Sequence, residues 1–172
     1  MPLNACKNTA AALLLTLAGY AATAEATIVQ FQTSLGDFEV NLFDKATPET
    51  VENFLAYVTE GAYEDTVIHR SVPNFVIQGG GYIFNYETQK PSHIETHAPV
   101  VNEPKFSNKR GTIAMAKVGG KPNSATSEWF INLRDNSQHL DSDNGGYTVF
   151  GQVMDDGMEV LEEIAKLRRL GE

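Results

Sequence analysis

The 172-residue chain has one cysteine, Cys6, so no disulfide can form within a single copy. Basic residues are the minority: 13 Lys and Arg stand against 22 Asp and Glu, a formal net charge of −9. Lys105, Lys109, Arg110, Lys117 and Lys121 are scattered among Pro and Gly, with no basic cluster. Such a chain does not seek nucleic acid or an anionic membrane surface. Gly-x-Ser-x-Gly is missing, which removes the usual signal of a serine hydrolase. The Gly79-Gly80-Gly81 run lacks the Gly-Lys-Ser/Thr ending of a phosphate loop, and Pro122 follows Lys121. His93 and His97 have helical metal spacing, but Pro91 and Pro99 flank them and no third ligand is in sight. Asp141-Ser142-Asp143-Asn144-Gly145-Gly146 opens like a calcium loop. Its fifth and twelfth positions are Gly145 and Gln152, where an oxygen ligand and Glu are needed. It reads as a turn, and no metal or other cofactor is expected.

Long apolar runs are also scarce. The one at Ala10–Ala18, centred on Leu13-Leu14-Leu15, falls short of the roughly 20 residues that span a bilayer. Lys7 precedes it, and Ala22-Thr23-Ala24 and Ala24-Glu25-Ala26 offer small-x-small cleavage sites. Residues 1–26 therefore read as a secretory signal peptide, cleaved after Ala24 or Ala26. Cys6 would leave with it, and it precedes the apolar run where a lipoprotein cysteine follows. The expected product is exported, to the periplasm, with no membrane attachment.

What remains is one domain, residues 27–168, with a tail at 169–172. Thr27–Thr33 and Phe38–Leu42 alternate with strand period around a Leu35-Gly36-Asp37 turn, which predicts a hairpin. Thr47 is the expected N-cap of a helix with Pro48 at its first position. Val51, Phe54, Leu55 and Val58 form its apolar face, and Gly61 its stop. Two short apolar runs around Pro73-Asn74 predict a strand pair. Residues 82–108, broken by Pro91, Pro99 and Pro104, read as a long functional loop. Gly111–Ala116, Glu128–Asn132 and Thr148–Val153 are further strands. A closing helix begins near Asp156 and packs through Val160, Leu161, Ile164 and Leu167. Many strands, two helices and no βαβ rhythm predict a mainly β protein, an antiparallel barrel or sandwich with helices over its openings.

The strand pair carries the chemistry. Ile68-His69-Arg70-Ser71-Val72-Pro73-Asn74-Phe75-Val76-Ile77-Gln78-Gly79-Gly80-Gly81 sets one Arg and one Gln into an apolar patch. An Arg there stays charged, so it must pair with a carboxylate or face a ligand. Pro122-Asn123-Ser124-Ala125-Thr126-Ser127-Glu128-Trp129-Phe130-Ile131-Asn132 is the second informative stretch. On a strand, Glu128 and Phe130 share one face and Trp129 and Ile131 the other, so Phe130 can line a groove while Trp129 packs inward.

Together the two stretches resemble the paired signatures of the cyclophilin peptidyl-prolyl isomerases, in bacterial form, and the likeness runs from about Thr27 to Leu167. The first differs by Ile68 where Phe is usual and Asn74 where Gly is usual. The resemblance implies an eight-stranded closed antiparallel β-barrel capped by two α-helices, with the active groove on its outer wall. It implies that Arg70 is catalytic and that Gln78 orients it. Phe75, Val76, Phe130 and Leu140 would form the proline pocket, with Tyr147 beside them. Ala116 and the Lys117 backbone would meet the substrate main chain, and His69 would be structural.

Val76 replaces the usual Met, Lys117 the usual Asn, and Glu128 the usual Gln. A carboxylate at 128 could neutralise Arg70. His139 stands where many members carry a drug-binding Trp, so weak cyclosporin binding is expected. The leading expectation is an isomerase acting on Xaa-Pro bonds of unfolded or newly translocated polypeptides, as a monomer like many members. The alternative is a cyclophilin-fold module or chaperone that binds proline peptides with little catalysis.

Overall fold

A computed structural model of the chain describes residues 26–167. The expected signal segment, apart from Ala26, and the expected tail lie outside the described residues.

Alternation along the strands builds a seven-stranded antiparallel sheet. Its strands are β1 (Ile28–Thr33), β2 (Gly36–Leu42), β3 (Arg70–Val72), β4 (Val76–Gly79), β7 (Thr112–Met115), β8 (Trp129–Asn132) and β9 (Val149–Val153). Their order is β1-β2-β9-β7-β8-β4-β3. The β1–β2 hairpin forms as expected, with Thr33 opposite Gly36.

The sheet is curled but open, which corrects the closed eight-stranded barrel. β1 and β3 are its edges, and β3 is only three residues long. The two remaining strands, β5 (Tyr82–Asn85) and β6 (Lys90–His93), pair with each other in a separate hairpin and do not close the ring. That hairpin also corrects the reading of 82–108 as loop throughout. Its turn is held by Asn85 Oδ1, which accepts from the backbone N–H of Glu87 (2.9 Å) and Thr88 (2.8 Å).

Among the described residues three α-helical segments accompany the sheet: α1 (Pro48–Thr59), a single turn α2 (Ser137–Leu140), and α3 (Gly157–Lys166). The sequence predicts only the first and last. Pro48 opens α1, but the Thr47 side chain makes no cap bond. A carboxylate from a distant loop takes that role. Glu103 Oε2 accepts from Thr50 N and Thr50 Oγ1, each at 2.9 Å. The buried face of α1 is Val51, Phe54 and Tyr57, while Val58 points outward. Gly61, at φ +71, ends the helix as predicted. In α3, Met158, Leu161 and Ile164 are buried, but Leu167 is 56% exposed.

Period two divides the apolar side chains between two clusters. On one face Ile77, Ile131 and Ile113 stand directly opposite one another and join Trp129, Phe54, Phe150 and Leu161 in the main core. On the other face Val76, Ala114, Phe130, Val149 and Leu140 form a smaller cluster, with Phe43, Phe75, Ala116 and Tyr147 against it.

Candidate active site

One row of the sheet organises this second face. Arg70 lies opposite Gln78, Gln78 opposite Phe130, and Phe130 opposite Ala114. Residues facing each other across an antiparallel pair project to the same side. The register therefore runs from a cation on the edge strand, through an amide, to an aromatic floor. Arg70 is exposed, with Cζ 5.7 Å from the Phe75 ring centroid. Its Nη1 donates to Gln78 Oε1 at 3.4 Å.

Seven of the residues picked out in the sequence meet here. Phe75, Val76, Phe130, Leu140, Tyr147 and Ala116 belong to the one cluster, and Arg70 borders it through Phe75. The Phe130 and Tyr147 rings meet edge-on at 5.6 Å. Trp129 lies in the main core, packed edge-on against Phe31 at 5.2 Å. Burial pushes the Tyr147 hydroxyl pKa up, so it stays protonated at neutral pH.

Glu128 does not pair with Arg70. Its Oε2 accepts from Gln78 Nε2 at 2.7 Å and lies 3.3 Å from His69 Nε2. The His69 hydrogen bond is the main influence on this carboxyl. With Gln78 and the charges of His69 and His93 it outweighs burial and holds the pKa below the ordinary value. The feared neutralisation of the guanidinium is not what forms. Glycine makes the arrangement possible. A Cβ on Gly81 would sit 2.8 Å from Glu128 Oε1, and one on Gly80, at φ +77, would sit 2.6 Å from Trp129 Nε1. The Gly run is where β4 ends against the start of β8.

Of the remaining predicted residues, His139 lies apart from the cluster and Lys117 at its margin, against Tyr147. His139 is exposed on the helical turn that delivers Leu140. The Lys117 side chain turns away to donate to the carbonyls of Asn144 (2.9 Å) and Gly146 (2.6 Å), with Nζ 4.7 Å from the Tyr147 ring centroid. Burial lowers its pKa, opposed by the charge of Asp143. Lys117 thus ties down the Asp143–Gly145 turn that precedes Tyr147. The Ala116 N–H is already bonded to the Glu128 carbonyl at 2.8 Å.

Three buried asparagines support the site and were not singled out from the sequence. Asn132 Nδ2 donates to Asn108 Oδ1 (3.2 Å) and Thr112 Oγ1 (2.9 Å). Asn136 Nδ2 donates to Asn132 Oδ1 (2.8 Å) and to the Phe75 carbonyl (2.9 Å). The Asn136 carbonyl accepts from Leu140 N at 3.0 Å. The network fixes the backbone of two cluster residues at once. Three Asn in or beside apolar runs were the signal, since a buried amide must find partners. His69 and His93 also pack beside the site. Tyr82 packs between them, 4.7 Å from the first ring and 4.0 Å from the second. His97 lies against Tyr57 and beside Glu60, away from both.

Known proteins share this arrangement of chain. Residues 28–171 match the family model described as cyclophilin type peptidyl-prolyl cis-trans isomerase/CLD. A peptidyl-prolyl cis-trans isomerase of Acinetobacter baylyi is 40% identical over 144 residues, 82% of this chain and 73% of that protein. Peptidyl-prolyl cis-trans isomerase B of Escherichia coli is 41% identical over 143 residues, 80% of this chain and 83% of its own. A cyclophilin-type isomerase of Cryptosporidium parvum superposes with a TM-score of 0.65 at 29% identity, over 83% of this chain and 86% of that one. The same protein in the presence of the dipeptide Ala-Pro gives 0.63 at 28% identity, over 82% and 85% of the two chains. With a match across the whole described sheet, and the signature residues side by side on one face of it, the chain belongs to the cyclophilin-type peptidyl-prolyl cis-trans isomerase family.

Proposed function

We propose that the protein accelerates cis-trans rotation of Xaa-Pro bonds in exported polypeptides, with Arg70 as the catalytic side chain. The observation that carries this reading is the sheet row that puts a guanidinium at the rim of an apolar cluster with a polar anchor behind it.

The reaction breaks no bond. Amide resonance sets a barrier of about 18–20 kcal/mol, and uncatalysed Xaa-Pro rotation takes on the order of tens to hundreds of seconds. A catalyst must favour the twisted amide over both planar forms. In the twisted state the proline nitrogen becomes pyramidal and regains its lone pair. A donor aimed at that nitrogen interacts more strongly there than in either ground state. Arg70 is cationic and keeps its protons at any working pH. The Phe75, Val76, Phe130 and Leu140 walls hold the pyrrolidine ring by apolar contact while the other side of the bond turns. Ala116 and the Lys117 backbone receive the substrate main chain. No charge on the pocket wall, cofactor or covalent intermediate is required.

A binding module with little catalysis is the competing reading, and Glu128 and Val76 are its motive. The engagement of that carboxylate by Gln78 and His69 favours the enzyme. The exposed His139 supports weak cyclosporin binding, which inhibition in the same assay would reveal. Export rests on the apolar run and cleavage sites before Thr27.

The test is the cis-to-trans rate of a short Xaa-Pro peptide with protein recovered from cells. Arg70→Ala should lower kcat/KM about 10²-fold or more, the loss typical of one transition-state donor. The recovered wild-type chain should begin at Glu25 or Thr27. A folded wild-type protein with no acceleration refutes the enzyme, and a mature chain that begins at Met1 refutes export.

A further inference from the structure

Hydrogen-bond chemistry leaves Gln78 only one satisfactory orientation. A guanidinium only donates and a carboxylate only accepts, whereas an amide has one end of each kind. Gln78 sits between Arg70 and Glu128. Its Nε2 donates to Glu128 Oε2 at 2.7 Å, which leaves Oε1 to accept from Arg70 Nη1 at 3.4 Å. Turned over, the amide would present N–H to the guanidinium and oxygen to the carboxylate, two repulsive contacts in place of two bonds. We propose that Glu128 is a positioning residue that acts on Arg70 through Gln78, by fixing which end of the Gln78 amide meets the guanidinium.

The carboxylate is itself held in place. His69 Nε2 lies 3.3 Å from the same oxygen, and the missing Cβ of Gly81 leaves the space its other oxygen occupies. The Glu128 side chain is 28% exposed, so water competes only partly for these bonds. The charged and titratable groups around it are His69 before β3, His93 on β6 and Arg70 beyond Gln78. A glutamine at 128, usual in the family this chain resembles, both donates and accepts. It would no longer distinguish the two ends of the Gln78 amide, leaving only the longer 3.4 Å contact with Arg70 to do so. The departure at 128 therefore strengthens the orientation of Arg70 and does not weaken its charge. This inference rests on the reading of Arg70 as catalytic.

The experiment is a double-mutant cycle in the Xaa-Pro rate assay, with kcat and KM separated. Glu128→Gln should lower kcat about twofold and Glu128→Met about fivefold, each with KM within about twofold of wild type. Gln78→Leu should lower kcat at least as much as Glu128→Met. The Glu128→Met/Gln78→Leu pair should lose no more than Gln78→Leu alone, within about twofold. Losses that multiply in the pair would show Glu128 acting independently of Gln78 and overturn the proposal. So would an unchanged kcat in a folded Glu128→Met protein. Should Glu128→Met fail to fold, the near-isosteric Glu128→Gln carries the test through pH. Protonated Glu128 becomes a donor and releases the amide, so wild-type kcat should fall on acidification below the ordinary carboxylate value of 4.5, and Glu128→Gln should lack that limb. Identical acid limbs, over the pH range in which circular dichroism shows both proteins folded, would overturn it. A second readout works even if the wild type gives no acceleration and the Arg70 reading fails. The Gln78 side-chain NH₂ resonances should shift in Glu128→Gln, and unchanged resonances would overturn the proposal alone.

Discussion

Asn74 occupies the corner between β3 and β4 with φ +56, a left-handed conformation that suits Gly and is tolerated by Asn. The deviation from the family's usual Gly is thus conservative in backbone terms. Asn74→Val should destabilise the fold by about 1–2 kcal/mol, and Asn74→Gly should stay within about 0.5 kcal/mol. Urea midpoints at constant slope would check both. At this scale the sequence was most legible where a motif carried the residue. Arg70, Phe75, Val76, Gln78 and Phe130, from the two signature stretches, lie side by side, and Leu140 and Tyr147 from outside them pack against the same cluster. The partner that His69 finds, Glu128 just before β8, lies far along the chain, and no local spacing announces that meeting. Lys117 was read for its backbone, and its side chain proves to be committed to a turn.

Elements were legible where one period ran unbroken. The β1–β2 hairpin and helices α1 and α3 follow their alternation or their four-residue spacing. The β5–β6 hairpin was missed because Pro91 lies inside β6, where it pairs opposite Phe84 on a two-stranded ribbon whose outer edge needs no donor. The start of α1 was half legible. Pro48 marks it, but the cap arrives from Glu103 through tertiary structure. The loop that carries this carboxylate is held separately, by the Glu103 backbone N–H donating to Thr148 Oγ1 at 2.7 Å. Glu103→Ala should therefore cost about 1–2 kcal/mol, more than an exposed cap, by leaving Thr50 N–H and its hydroxyl without their acceptor. Thr47→Ala should cost less than half as much, which would reverse the ranking the sequence alone suggests. Thermal and urea unfolding of the two variants side by side would decide it.

At the scale of the whole molecule, acid stability follows from carboxylates tied into the fold. For Asp44, burial alone would raise the pKa, but hydrogen bonds from the Thr27 hydroxyl and backbone more than offset it. For Asp141, burial is likewise outweighed by bonds from the Asn108 backbone and side chain. The His69 bond holds Glu128 low in the same direction. All three are depressed in the folded state, so the unfolded chain binds more protons in this range and stability rises with pH. The contribution is full above the ordinary values, 3.8 for Asp and 4.5 for Glu, and is lost as pH falls through the folded ones. Unfolding free energy should be flat from pH 7 to about 5 and should drop below pH 4. Asp141→Asn should reduce that drop while lowering stability at pH 7. Urea titrations of both proteins across pH 3–7 would check the sign.

The two faces of the sheet have an evolutionary consequence. Along β4 and β8, Val76, Gln78 and Phe130 share the face that carries the proposed site, and Ile77 and Ile131 belong to the main core. Heritable change at alternate codons is therefore screened by two different kinds of selection. Substitutions on one stripe alter the face that carries Arg70 and Gln78, and at the buried Val76 and Phe130 they also touch packing. The other removes the protein from the cell before recognition matters. A change such as Glu at 128 is accommodated on the first stripe by the space above Gly81, while the second stripe answers to packing alone.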